Sequence, residues 1–499
     1  MNANKESIVF NPLKQLPIDA GIQFPFWEHQ LEAIQSASAK DGFMFAMDMG
    51  TGKTATAAYL LIQSLRYHKD SLGLIVAPGV TMPNWKRELS TLLPVMKKQV
   101  AIIDGGKNGS SEKKLGQVAA SIALHRRVYI VSHETLALPV WKTIAKLLGP
   151  FLSLIIDESQ RFKNPTAKRT KAAFEIAKHA KFRWLLTGTP TLQSPLDLFA
   201  QFYIIDPKIF GGNYYTFRAR FFEDANERWK GKQNYFPKWK IRPSAEKEIA
   251  AIISSYSFQK KKSECLDLPP LFKIRVEAEL TEELVAHYRE MSKEFVTYYD
   301  ANNAVTADLA ITKSLRLQQI CNGILSFEDQ TSKTLHTAKL DVLRELLESV
   351  ADAKVIIWTC WKSTYPQISE LLESMNLSYV FLTGNESGAE KEENIQAFQT
   401  DRRVQVCVAN QQAAGVGVNL QAASYSIYYA KNFNLEHDLQ SEARNYRGGS
   451  EQHEKVTRYD IVTKGTVEEL IDLALKGKMS SAELLLEMVK HFREGTTCK

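Results

Sequence analysis

The 499-residue chain has no closely spaced cysteines: Cys265, Cys321, Cys360, Cys407 and Cys498 are far apart and never form C-x-x-C. Zinc-ribbon and redox-motif readings therefore lack support, and the five read as reduced, mostly buried thiols in an intracellular setting. No apolar run approaches the roughly 18 residues of a membrane span. The opening "MNANKESIVF" has no apolar h-region, which argues against secretion. Cys498 is one residue from the end and does not make a prenylation box. A strong charge of either sign is also missing, since a formal +7 on this length gives only a slight lean toward polyanions. The expectation from these absences is a cytoplasmic protein that is neither secreted nor membrane-bound.

What is present is the composition of a folded chain, 44% hydrophobic and 24% charged, long enough for two or three domains. Short apolar runs, "LGLIVAP" (72–78), "VYIVS" (128–132), "LSLIIDE" (152–158) and "FRWLLTGT" (182–189), alternate with helix-like stretches. A second series follows: "AKVIIWTCW" (353–361), "SYVFLTG" (378–384), "VQVCVAN" (404–410), "SYSIYYA" (424–430) and "KVTRYDIVT" (455–463). Strands apolar on both faces and separated by helices predict α/β lobes built on parallel sheets, with chemistry at the carboxyl ends of the strands. Between the two series, residues 208–242 hold ten aromatics and nine Lys or Arg against three acids. That mixture suits either a nucleic-acid surface or a helical insertion whose aromatics form their own small core, and the second reading is favoured for most of them. The paired prolines of "LDLPP" (266–270) mark a boundary. The expected domains are residues 1–205 and 301–499 as the two lobes, with 206–300 as a helical insertion and linker.

Chemistry starts in "AMDMGTGKTATAAYLL" (46–61). The usual phosphate loop G-x-x-x-x-G-K-[ST] needs a glycine where this chain has Met47. Gly50 and Gly52 nonetheless allow an amide nest at a helix amino terminus, Lys53 can reach outer phosphates, and Thr54 can ligate Mg²⁺. Alone the loop is also compatible with an exposed turn. Asp157 and Glu158 then follow the apolar "LSLII", about a hundred residues on. One carboxylate there can hold Mg²⁺ through its water shell while its neighbour orients or deprotonates the attacking water, as in the Walker A and B arrangement of NTP hydrolases. In "SEARNYRGG", Arg444 and Arg447 share one face if the segment is helical. They are candidate arginine fingers, a device worth about 10³ to 10⁵ in rate, or else ordinary solvated arginines.

Taken in order, these motifs resemble a superfamily-two helicase or translocase of the Swi/Snf-like branch. "FWEHQ" (26–30) resembles the adenine-reading Q motif, "MDMGTGKT" (47–54) motif I and "VAPGVTMPNWKREL" (76–89) motif Ia. "DESQRFKN" (157–164) resembles the branch's Asp-Glu-Ala-His-Arg-x-Lys-Asn, and "LTGTP" (186–190) motif III. "QKKKSECLDLPP" (259–270) is similar to the segment joining the lobes. "AAGVGVNLQAA" (413–423), "QSEARNYRGGS" (440–450) and "VTKGTVEELI" (462–471) resemble motif V, motif VI and the segment that follows. The likeness runs from residue 24 to about 480. Departures are Trp27, Glu28 and His29 in the Q motif, Asp48 for the usual glutamate, Ser159 and Gln160 in motif II, and Tyr446 and Gly448-Gly449-Ser450 in motif VI.

The resemblance implies two RecA-like lobes with a mostly helical insertion, ATP and Mg²⁺ as cofactors, and ATP hydrolysis coupled to movement along DNA. It assigns nucleotide contacts to Gln30, Met49, Gly50, Thr51, Gly52, Lys53, Thr54, Asp157, Gly415 and Gln440, Mg²⁺ to Thr54 and Asp157, and catalysis to Glu158, Arg444 and Arg447. Contacts to nucleic-acid phosphates fall to Lys86, Arg87, Arg161, Lys163, Thr189 and Asn419, where the basic residues are equally readable as solvated surface charges. The implied partner is double-stranded DNA, met by a monomeric or weakly associating protein of compact bacterial or viral type, in a bacterial cytoplasm or virus-infected cell. A strand-separating DNA or RNA helicase is the alternative, and a nucleic-acid-binding scaffold with a vestigial ATP site the more distant one.

Overall fold

The computed structural model describes residues 24–68, 70–105, 110–188, 195–227, 237, 239–302, 307–326, 332–350, 353–414 and 418–476. The chain divides into two compact units between Leu266 and Asp267, inside the Leu-Asp-Leu-Pro-Pro run.

In the first unit, strands β1 (Gly42–Met47), β2 (Gly73–Ala77), β3 (Val100–Ile103), β4 (Val128–Ser132), β5 (Ser153–Ile156) and β6 (Phe182–Thr187) precede a small hairpin, β7 (Phe222–Asp224) and β8 (Trp239–Ile241). Strand β9 (Ser257–Lys260) completes a seven-stranded sheet of order β3-β4-β2-β5-β6-β1-β9, in which all pairs are parallel. Alternation along each strand fills two cores. Met44, Leu74, Val76, Leu154, Ile156 and Leu185 pack on one face. Phe43, Phe45, Ile75, Ile155 and Leu186 pack on the other. A sheet buried on both faces has no polar side, which is why the strands read apolar throughout.

The aromatic-rich segment between β6 and β9 forms helices Tyr214–Phe221 and Glu246–Tyr256 besides the hairpin. Phe210, Phe217, Phe221 and Phe222 are buried and join the core that holds Phe199 and Phe202. Arg218 lies over the rings of Tyr214, Tyr215 and Trp239. The described phenylalanines thus form an internal core and are not a stacking surface for bases.

The second unit has a six-stranded sheet of order β10-β17-β16-β13-β15-β14, again with every pair parallel. Its strands are β10 (Leu271–Ala278), β13 (Val355–Thr359), β14 (Tyr379–Leu382), β15 (Val406–Asn410), β16 (Tyr425–Tyr428) and β17 (Val456–Thr463). A two-stranded hairpin, β11 (Ile324–Ser326) with β12 (Ser332–Thr334), stands apart from it. The fold class is α/β, with two parallel-sheet lobes. Among the described residues, no helix is long and apolar enough to cross a membrane, and Cys265, Cys321, Cys360 and Cys407 are free thiols.

Candidate active site

Strands β5, β6 and β1 are consecutive in the first sheet, so the segments leaving their carboxyl ends are brought side by side although β1 lies more than a hundred residues before the other two in sequence. The loop after β1 turns on Gly50 and Gly52, with φ of +83° and +79°. That left-handed conformation costs an L side chain about 1–2 kcal/mol. Gly52 caps helix α2 (Lys53–Tyr67), which leaves the loop amides and the positive end of the helix dipole facing the same space.

Helix α1 (Glu28–Ser38) clamps this loop from outside. The Gln30 amide oxygen accepts from the Trp27 N–H at 2.8 Å, and its Nε2 donates to the Gly52 carbonyl at 3.1 Å. A methyl group on residue 52 would sit 2.2 Å from that Nε2. His29 hydrogen-bonds the Thr51 carbonyl through Nε2 at 2.9 Å. The Lys53 ammonium donates to the carbonyls of Met47 at 2.6 Å and Asp48 at 2.8 Å. Thr54 stands partly exposed in the first turn of α2, and Met49 packs beside Gly188 after β6.

At the end of β5, the Asp157 N–H donates to the Val76 carbonyl at 2.9 Å, prolonging the β2–β5 pairing by one step. Its carboxylate accepts from the Trp85 indole N–H of helix α3 (Met82–Leu92) at 2.9 Å and from the Glu158 N–H at 3.0 Å. Burial and the neighbouring Glu158 carboxylate push Asp157 up to about 6, against the pull of Trp85 and Lys53. His133, fully buried, bonds the Asp157 carbonyl through Nε2 at 2.8 Å. Burial lowers this imidazole to about 4, so at neutral pH it is uncharged and its Nε2 carries the proton that the carbonyl accepts.

Glu158 has φ of +49° and ψ of +53°, a left-handed conformation rare for a residue with a side chain. Gln160 accounts for the direction of its carboxylate. The Gln160 Nε2 donates to Glu158 Oε2 at 2.7 Å, and its Oε1 accepts from the Thr187 hydroxyl at 2.8 Å. Thr187 ends β6, so an unbroken chain of hydrogen bonds joins motif III to Glu158. The residue that departs from the Asp-Glu-Ala-His pattern is the link. Ser159, the other departure, donates to Gln201 Oε1 at 2.8 Å. The sequence pattern signalled none of these partnerships. Trp85 was visible only within the motif Ia likeness of residues 76–89, and His133 not at all.

The candidate nucleic-acid residues of the first unit lie on two elements. Lys86 and Arg87 are on α3, where Arg87 donates to Asn84. Arg161 and Lys163 are in or just after the 3₁₀ turn Ser159–Phe162, and Lys163 stands 3.5 Å from Asp197. Thr189 and Gly415 lie outside the described residues. A cleft of about 1030 Å³ between helices Val140–Leu148 and Lys168–His179 is lined by none of the candidate site residues and is not the phosphate site.

In the second unit the arginine pair does not share a helical face. The helix is Leu435–Glu442, and Arg444 to Gly449 form turns that end at Gly449 with φ of +99°. Arg444 is buried. Its Nε donates to the Gln440 carbonyl at 2.8 Å and an Nη to the Val418 carbonyl at 3.2 Å. These bonds, with the two glycines, draw the segment out of helical geometry. Gln440 is buried in the last turn of the helix and donates to Glu436 at 3.0 Å. The Asn419 carbonyl accepts from Gln399 at 2.7 Å. Beneath this helix, Arg458 of β17 meets Asp438 at 2.7 Å, Glu442 at 2.8 Å and Asp460 at 3.0 Å, and lies over the Tyr428 ring.

A Gly-Lys-Thr loop on one parallel strand and an Asp-Glu pair on another, with a single strand between them, define a P-loop nucleotide-hydrolase lobe. Here that lobe is followed by a second parallel-sheet lobe. The chain belongs to the SNF2-related family: the SNF2-related domain matches residues 28–336, and the helicase conserved C-terminal domain matches 338–449. It is a member of the Swi/Snf-like branch of the superfamily-two helicases. Among relatives, an uncharacterized ATP-dependent helicase of Mycoplasma genitalium is 27% identical over 438 residues, covering 86% of this chain and 39% of that protein. The DNA annealing helicase and endonuclease ZRANB3 of Mus musculus is 25% identical over 455 residues, covering 90% and 40%. The chain therefore spans about two fifths of the length of these two relatives. Among solved structures, a Sulfolobus solfataricus SWI2/SNF2 ATPase core in complex with dsDNA is similar with a TM-score of 0.42 at 23% identity, covering 98% of this chain and 99% of that one.

Proposed function

We propose that the chain is the motor of a DNA translocase that hydrolyses ATP to ADP and phosphate and is stimulated by duplex DNA. The observation that carries this reading is the Thr187–Gln160–Glu158 chain, because it fixes the direction of a carboxylate next to Asp157 at the end of a strand separated by only one other from the strand that carries the Lys53 loop. A triphosphate on this loop is supported by Gly50 and Gly52, whose left-handed φ turns the backbone at the amino terminus of α2, and by Lys53 in the first turn of that helix. Thr54 and Asp157 supply the hard oxygen donors that Mg²⁺ takes together with phosphate and water. A Mg²⁺ held by these residues would supply charge neutralisation to the phosphates.

In this reading Gln30 and Met49 border the nucleotide, and Lys53 exchanges its two carbonyl partners for phosphate oxygens. Glu158 orients the attacking water and accepts its proton. Arg444 and Arg447 are the charge-stabilising pair, with Gly415 and Gln440 as further nucleotide contacts. Lys86, Arg87, Arg161, Lys163, Thr189 and Asn419 meet DNA phosphates, so binding tolerates sequence and weakens with salt. The relative described as a DNA annealing helicase supports DNA as the track, and those named ATP-dependent helicases keep strand separation as the second reading.

The test is steady-state hydrolysis by the parent and by Glu158→Gln, with duplex, single-stranded and forked DNA and RNA compared. Expected is duplex-stimulated hydrolysis without displacement of a labelled strand, and no hydrolysis by Glu158→Gln although it binds ATP. Hydrolysis by that variant at the parent rate would overturn the assignment, and displacement from the fork would favour the second reading.

A further inference from the structure

Asp48 is a junction between the phosphate loop and the end of the first unit. Its carbonyl accepts from the Thr51 hydroxyl at 2.7 Å and the Lys53 ammonium at 2.8 Å, both groups of the loop. Its N–H donates to the Lys260 carbonyl at 3.0 Å, one step past the β1–β9 pairing. Its carboxylate accepts from the Lys262 N–H at 2.9 Å, across 214 residues of sequence. Lys262 begins a 3₁₀ turn, Lys262–Glu264, and the Leu266 N–H donates back to the Lys262 carbonyl at 3.0 Å. Leu266 is the last residue of the first unit. The same segment reaches the Gln30 helix, where Lys260 Nζ lies 3.8 Å from Glu32.

We infer that Asp48 is a positioning residue that passes the state of the phosphate loop to the segment leaving the first unit, through its carboxylate and the Lys262 amide. The inference rests on the ATP-hydrolase reading. When Lys53 leaves the Asp48 carbonyl for phosphate, the residue it leaves is the one whose side chain holds Lys262. A shift of the Asp48 backbone by about half an ångström carries this hydrogen bond from 2.9 Å beyond the ordinary range of about 2.7–3.2 Å. Glutamate carries the same acceptor on one more methylene, whereas alanine removes it. A carboxylate accepting from a backbone N–H is a charge-assisted bond, strong enough for its loss to be read as about a tenfold effect.

The experiment uses the full chain and its Asp48→Ala, Asp48→Asn and Asp48→Glu variants. Amide exchange at Lys262 and tryptic cleavage after Lys261 are followed with and without a non-hydrolysable ATP analogue, because that scissile bond contains the amide Asp48 holds. Nucleotide affinity and duplex-stimulated hydrolysis are measured in parallel. Expected in the parent is a nucleotide-dependent change in exchange and cleavage. In Asp48→Ala that dependence is lost, and kcat with duplex falls about tenfold while nucleotide affinity stays within about threefold. Asp48→Glu retains the dependence, and Asp48→Asn falls between.

An equal loss of affinity and kcat in Asp48→Ala would place the residue in nucleotide binding and overturn the proposal. So would parent-like rates in Asp48→Ala, or exchange at Lys262 that ignores nucleotide in the parent. A lower melting temperature with parent-like kcat would leave Asp48 a simple cap of the turn, which also overturns it. If the parent binds nucleotide but never hydrolyses it, the function proposed above fails, while the exchange and cleavage results still decide the role of Asp48.

Discussion

Gln160 occupies the position where the Swi/Snf-like pattern has histidine, and its amide offers a donor and an acceptor on opposite edges. Both are used, one toward Glu158 and one toward Thr187. Gln160→Ala is expected to lower kcat by about ten- to a hundredfold with nucleotide affinity retained, since the carboxylate loses its orientation and not its charge. Steady-state hydrolysis together with a fluorescent-nucleotide titration checks this split. Gly52→Ala is expected to do the reverse and abolish nucleotide binding. The φ of +79° and the 2.2 Å approach to Gln30 both resist a methyl group, so the loop and the Gln30 amide must shift. Calorimetric titration with ATP reads the loss. Sequence pattern marks Gly52 as necessary for a tight phosphate turn, but the reason particular to this chain, Gln30 packed against it, needs coordinates.

Element packing in the second unit rests on buried charge. Arg458 is enclosed by Asp438, Glu442 and Asp460, and Lys273 approaches Glu442 at 2.5 Å. Arg458→Met removes the cation that three carboxylates share, leaving Glu442 with Lys273 and Asp460 with Lys431, and removal of one member of such a cluster costs about 3–5 kcal/mol. Urea unfolding of the variant is expected to show that loss in the second unit. The pH dependence follows from the same cluster. Burial raises the Glu442 carboxyl, but Arg458 and Lys273 outweigh it and hold the group below its ordinary 4.5. Asp472 is likewise held below 3.8, where burial is outweighed by Lys431 and Lys476. Groups with depressed folded values stabilise the native state above their unfolded values and stop doing so as pH falls through the folded ones. The expected result is a flat stability from these groups between about pH 6 and 8 and a decline below about 4.5, measured by thermal unfolding across that range. None of this cluster was legible beforehand, because the residues are dispersed over a helix and two strands. In the arginine segment, the i, i+3 spacing put both arginines on one face only if the segment was helical; the helix ends at Glu442, and Arg444 donates to the backbone carbonyls of Gln440 and Val418.

For the whole molecule, the division at Leu266 predicts two unfolding transitions in a calorimetric scan, with Arg458→Met moving one and Gly52→Ala affecting the other. Sequence by itself determined the two series of apolar strands and the parallel α/β class they require, and it put forward the loop, carboxylate and arginine residues as candidates. Those properties are local: burial on both faces writes itself into each strand, and phosphate chemistry restricts residue types at short spacing. The short strands β3 and β9 and the opening strand β1 were not singled out, since four apolar residues, or an alternating Ser-Phe-Gln-Lys, carry little periodic signal. Only the tertiary structure decided that β5, β6 and β1 are adjacent, that Gln160 joins Thr187 to Glu158, and that Asp48 holds Lys262. These are pairings between distant segments. Their partners are fixed by strand order and by the demand that buried polar groups find hydrogen bonds, and neither is expressed in the residues near one another along the chain.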